Sequence, residues 1–154
     1  MAKEIDINKS TLIWTAVVVA ITTTIIDKLF YVINKSVNAD AFASAKGYFS
    51  VSQADYFPLL YLIVVFFATL ITVWIYSLLL HRMPQSWIMK GLIVGLVLFI
   101  IGDLAHIIEA GFTTQLPGAA ARGMAFMALV SSLINGCVLS YFYRWISGEK
   151  KSAK

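Results

Sequence analysis

Cysteine occurs once in the 154 residues, as Cys137 within an apolar stretch. A single cysteine excludes an internal disulfide, a C-x-x-C redox pair and a cysteine-based zinc site. Charge is scarce as well: 13% of residues are charged and 60% are hydrophobic. Soluble domains are about a quarter charged and about half apolar, so the chain is not expected to fold in water, and lipid becomes the expected solvent. Histidine occurs only as His81 and His106. In the spans assigned below they fall at opposite membrane faces, which excludes a bis-histidine haem. No Gly-rich phosphate loop, G-x-S-x-G elbow or H-E-x-x-H is present, so nucleotide binding, serine hydrolysis and zincin chemistry find no support. The net charge of +4 does not argue for nucleic acid, because membrane proteins collect Lys and Arg in their cytoplasmic segments.

What the chain has in quantity is long apolar runs. Four are evident, at about 12–33, 57–80, 88–108 and 123–143. About 20 apolar residues in a helix cross roughly 30 Å of hydrocarbon, so each run is long enough to span. An unpaired backbone amide in lipid costs several kcal/mol, which makes helices the default, and the continuous runs lack the alternation of a membrane β-barrel. The predicted fold is an all-α integral membrane protein, a four-transmembrane-helix bundle forming one domain over residues 1–154. The first run exceeds the roughly 7–15 apolar residues of a signal peptide and reads as a retained span.

Lysine and arginine set the orientation. The two tails and the connection around Arg82 carry Lys3, Lys9, Arg82, Lys90, Arg144, Lys150, Lys151 and Lys154, whereas the opposite side carries Lys28, Lys35, Lys46 and Arg122. The richer set is expected to face the cytoplasm, placing both termini inside at a cytoplasmic (inner) membrane. Trp14, Trp87 and Trp145 then fall near the inner interface, and Tyr31, Tyr48, Tyr56 and Phe57 near the outer one. In the external loop, about 34–56, Asn38 and Gly47 could bound a short helix. The lysine-rich tail suits anionic headgroups, so membrane lipids are the first expected partners. A homo-oligomer or a larger membrane complex is the second.

Small residues mark helix contacts in lipid, because they permit close approach. Gly91, Gly95 and Gly102 share a stripe of the third span that continues to His106 and Glu109. Ala16, Ala20 and Thr24 form a line in the first that Asp27 extends, and Ser132, Gly136 and Ser140 are spaced four apart in the fourth. These lines predict that Asp27 and His106 face the interior. Ser131, Ser132 and Asn135 are expected to hydrogen-bond between helices, with direct ligand contact as the alternative. His81 reads as a solvated interfacial residue, and Met124 and Met127 as packing.

At 1.5 Å per residue, Asp27 lies about 22 Å into a core of about 30 Å, and Asp103 lies at a similar depth. His106, Glu109 and Arg122 follow towards the outer surface. Five ionisable groups thus converge on the outer third of the bundle, where a charge requires a partner or water. In Asp103-x-x-His106-x-x-Glu109, helical steps of three residues spread the side chains over an arc of about 120°.

Three readings follow. The first is a structural polar network fixing helix register, with Asp103 paired to His106 and Asp27 to Lys28 or Arg122. The second is a pocket that binds a ligand or conducts protons through Asp27, Asp103, His106, Glu109, Arg122 and Asn135, with His106 (ordinary pKa about 6.5) titrating. The third is a metal site from His106, Asp103, Asp27 and Glu109. The function expected is binding of a small ligand or partner in this outer pocket. The alternatives are a small membrane enzyme using His106 and Asp103 as an acid–base pair, and an accessory subunit of a larger complex. The sequence specifies no cofactor.

Overall fold

The computed structural model describes residues 8–37, 58–84, 86–105, 107–108 and 118–148. Four long helices account for nearly all of them. Helix α1 is Lys9–Val37 and α2 is Pro58–Leu79. A 3-10 turn, Leu80–Arg82, leads towards α3, Trp87–Leu98, which continues as a π-helix over Phe99–Leu104. Helix α4 is Gly118–Ile146. Each, α3 together with its π segment, contains a stretch of at least 18 residues long and apolar enough to cross a membrane.

The ends follow local chemistry. The Asn8 side-chain oxygen accepts from the backbone N–H groups of Ser10 and Thr11, at 3.0 and 3.4 Å, satisfying donors that a helix start leaves open. Pro58 opens α2, where its missing N–H removes no helical bond. Met83-Pro84 follows the 3-10 turn and leaves helical geometry, with Met83 extended at ψ 158°, as expected of a residue before proline. Gly148, just past α4, takes φ +69°, the left-handed conformation that commonly follows a helix end.

Two side-chain ties fix the relative directions of the helices. Towards one end, Asp27 of α1 and Asp103 in the π segment meet Ser131 and Ser132 of α4. Towards the other, Tyr76 of α2 and the Trp87 carbonyl of α3 meet Ser140 of α4. The helices therefore run up, down, up and down, with the start of α1 and the end of α4 at the same end. The closest backbone neighbours are α3 with α4, α4 with α1, and α1 with α2.

The α3–α4 contact is close enough to exclude side chains. A Cβ added at Gly136 would lie 2.2 Å from the Gly91 carbonyl oxygen and 2.5 Å from the Gly95 nitrogen. One added at Gly95 would lie 2.5 Å from the Ser132 carbonyl oxygen, and one at Gly91 2.5 Å from Cys137 Cα. The stripes expected from small residues thus do meet, and Ala16, Ala20, Ser132 and Ser140 are buried as well. Gly102 is the exception. A Cβ there would meet nothing within 4 Å, because the wider π turn over Phe99–Leu104 breaks the α-helical phase that would carry Gly102 onto the contact. The arc expected for Asp103, His106 and Glu109 involves His106 and Glu109, which lie outside the described residues.

The interior is small and partly polar, while the outside is large and apolar. Thr15, Ser77, Ser132 and Ser140 are buried, whereas Trp14, Ile25, Phe67, Ile71, Ile101 and Trp145 are each at least half exposed. Both α1 and α4 extend beyond the runs read from sequence. The expected helix after Asn38, the remainder of the external loop and the lysine tail lie outside the described residues.

Gly136→Ala is expected to destabilise the protein by about 1–3 kcal/mol, the usual cost of overpacking. Gly102→Ala should leave stability unchanged or raise it by up to about 1 kcal/mol, since alanine is the better helix former. Equilibrium unfolding in mild detergent distinguishes the two.

A candidate ligand cavity holding two carboxylates

On α4, Met124, Ala128, Ser131 and Asn135 recur at steps of four, three and four, the spacing of one helix face. On α1, Val19, Thr23, Asp27 and Phe30 share a face in the same way, at steps of four, four and three. With Val65, Thr69 and Thr72 of α2 and Leu98, Gly102 and Asp103 of α3, these faces enclose a cleft of about 560 Å³. The two aspartates are the acidic groups in its wall among the described residues.

Each carboxylate is held by a different serine. Ser131 donates to Asp27 Oδ1 at 2.5 Å, and Ser132 donates to Asp103 Oδ2. Consecutive residues on a helix point about 100° apart, so one dipeptide reaches a carboxylate on each flanking helix. Asn135 adds a second bond to Asp27, with Nδ2 at 3.0 Å from Oδ1, and a weaker one to Ser131 Oγ at 3.4 Å. Its own Oδ1 is inaccessible and has no hydrogen-bond partner among the described residues. Asp27 remains exposed and Asp103 half-buried, so both carboxylates stay within reach of a molecule entering the cleft. Asp103 belongs to the π segment, and such interruptions of α-helices are frequent at functional sites.

The far end of the bundle is closed by a second polar chain. Ser140 Oγ donates to the Trp87 carbonyl at 2.8 Å, so the 2.9 Å contact with Tyr76 Oη has tyrosine as donor. Tyr76 also packs edge-on against Tyr143, with ring centroids 5.1 Å apart. Val19, Val73, Leu139 and Tyr143 join the core around this chain.

Of the residues expected at the site, the structure brings Asp27, Asp103 and Asn135 together. Arg122 is exposed near the start of α4 and does not line the cleft. The side chains of His106 and Glu109 lie outside the described residues, and with them the expected Asp103–His106 pair. Among the described residues no group of three His, Cys, Asp or Glu side chains could hold a metal ion. His81 is exposed.

The interhelical role expected of Ser131, Ser132 and Asn135 is the one observed, but the serines' carboxylate partners were not anticipated. Nor were Thr23, Met124 and Met127 in the wall. Their helical spacing from Asp27 and Ser131 was the available signal. Comparison of the chain with protein-family models, curated proteins and solved structures finds no match.

Hydrogen bonds between membrane helices are worth about 0.6 and at most about 1.7 kcal/mol, and those to charged groups are generally stronger. Ser132→Ala is therefore expected to lower stability by about 1–2 kcal/mol, and Tyr76→Phe by about 1 kcal/mol or less. Thermal unfolding of both variants, with helix content followed by circular dichroism, checks the order.

Proposed function

We propose that this chain is an integral protein of a cytoplasmic membrane, crossing it four times with both termini inside, and that the cleft at the outer end of the bundle binds a small ligand. Support for insertion comes from the distribution of side chains. Water-soluble folds bury large apolar residues and rarely expose broad apolar patches. Here Phe67, Ile71, Trp74 and Ile101 face outward while Ser132 and Ser140 are buried. In lipid this arrangement is favourable, because helices there associate through small residues and polar contacts. The lysine and arginine count supports the orientation.

The observation that carries the binding reading is the pair of carboxylates in one cleft, each oriented by its own serine. Polar groups placed within an apolar span are costly. A structural network alone would satisfy them and leave no space between them. Here they border about 560 Å³ of open volume, within the roughly 300–1,000 Å³ typical of small-molecule sites.

Native mass spectrometry of the gently solubilised wild type, beside an Asp103→Asn/His106→Ala double variant, tests the reading. A bound small molecule on the wild type that the folded variant lacks is the expected result. A wild type that carries only itself or another protein chain would contradict it and favour a scaffold or subunit role.

A further inference from the structure

Resting on the membrane reading above, but on a face away from the cleft, we infer that the outward furrow between α3 and α4 binds one anionic phospholipid. Its leaflet is the one on the side of the termini, with an acyl chain lying in the furrow and the phosphate held at Arg144. The furrow follows from the glycine contact. Gly91 admits Cys137 so closely that an added Cβ would lie 3.0 Å from its Sγ, and the half-buried Cys137 lines the furrow at this closest approach. Larger side chains flank it, Trp87 and Leu92 from α3 and Leu133, Ile134 and Val138 from α4, around about 340 Å³. None of these residues lines the cleft that holds the aspartates.

Its chemistry runs from apolar to aromatic to cationic. On α4, Leu133, Cys137, Tyr141 and Arg144 follow at steps of four, four and three, one helix face. Leu133 to Tyr141 covers about 12 Å, inside one leaflet's half of a core of about 30 Å. At the mouth Trp87 packs edge-on against Tyr141 with ring centroids 5.6 Å apart, and ring contacts continue through Phe142 to Trp145. Aromatic residues of this kind mark the headgroup level. Arg144, in the last turn of α4, stands one turn beyond. It already has a partner within the chain, but a guanidinium carries five donors and pairs well with phosphate oxygens. A cation at this level selects a headgroup of net negative charge.

A second copy of the chain suits this face less well. Helices associate in lipid through small residues and polar contacts, and here Gly91, Gly95 and Gly136 are turned to the α3–α4 contact itself. The furrow is left with large apolar side chains. An acyl chain follows such an irregular surface and gains dispersion contacts along it.

The test uses two photoactivatable probes with the same diazirine-bearing acyl chains, a phosphatidylglycerol and a phosphatidylcholine. Each is added at trace level to phosphatidylcholine vesicles holding the full-length protein, and adducts are located by peptide mass spectrometry. The phosphatidylglycerol probe is expected to label 87–92 and 133–142 roughly fivefold more than the other, and unlabelled phosphatidylglycerol should compete it away. Arg144→Gln should bring the two probes to equality, while Arg122→Gln, at the other end of α4, should leave furrow labelling unchanged. Ile134→Trp, which fills the furrow, should lower labelling there by both probes. Equal labelling of the wild type by the two probes, or adducts spread evenly over the outward faces of all four helices, would overturn the inference. So would cross-linked dimers whose furrow is shielded from both probes, which would assign the face to a second copy. Protein that separates from the vesicles on flotation would contradict membrane insertion itself, and this site with it. Should a variant fail to fold, the two probes on the wild type still decide the matter.

Discussion

The close approach of α3 and α4 at Gly91, Gly95 and Gly136 is the constraint on which the rest of the molecule depends. With no side chain at Gly136, the α4 backbone comes within reach of the α3 backbone itself. Residues one turn away on either side, about 6 Å along the axis, then reach polar groups of α3 directly. Ser132 meets Asp103 on one side and Ser140 meets the Trp87 carbonyl on the other. The small-residue line of α4 is thus both a packing surface and the ruler that sets the two polar ties.

From those ties the other helices take their places. Ser131, next to Ser132 but turned about 100° from it, receives α1 through Asp27, and Asn135 one turn on reinforces that bond. At the opposite end Tyr76 brings α2 onto Ser140. The closed end combines the tyrosine–serine–carbonyl chain with an apolar core, whereas the end bearing the aspartates keeps a cleft.

Much of this was legible in the sequence because long apolar helices obey few rules. Length and hydropathy predicted the four helices. The spacing of Gly91 and Gly95, and of Ser132, Gly136 and Ser140, identified the faces that meet, and depth along the helices placed Asp27 and Asp103 at one level. What could not be read was the phase of α3 beyond Leu98. Phe99, Ile100 and Ile101 carry no signal distinguishing a π turn from an α turn, yet that turn moves Gly102 off the contact and governs how Asp103 is presented. Partner choice was equally hidden. Charge pairing drew attention to Lys28, Arg122 and His106, whereas the serine hydroxyls that donate to Asp27 and Asp103 depend for their reach on how closely two backbones approach.

The most direct test of this account is a double-mutant cycle between Gly136→Ala and Ser132→Ala, read by equilibrium unfolding in mild detergent. If the glycine contact is what brings Ser132 to Asp103, then Ser132→Ala should cost little once Gly136→Ala is present, and the coupling energy should approach the whole effect of the serine substitution. Additivity to within about 0.5 kcal/mol, as found for independent sites, would contradict the account, because it would mean that the serine–aspartate tie forms without the close approach of the two helices.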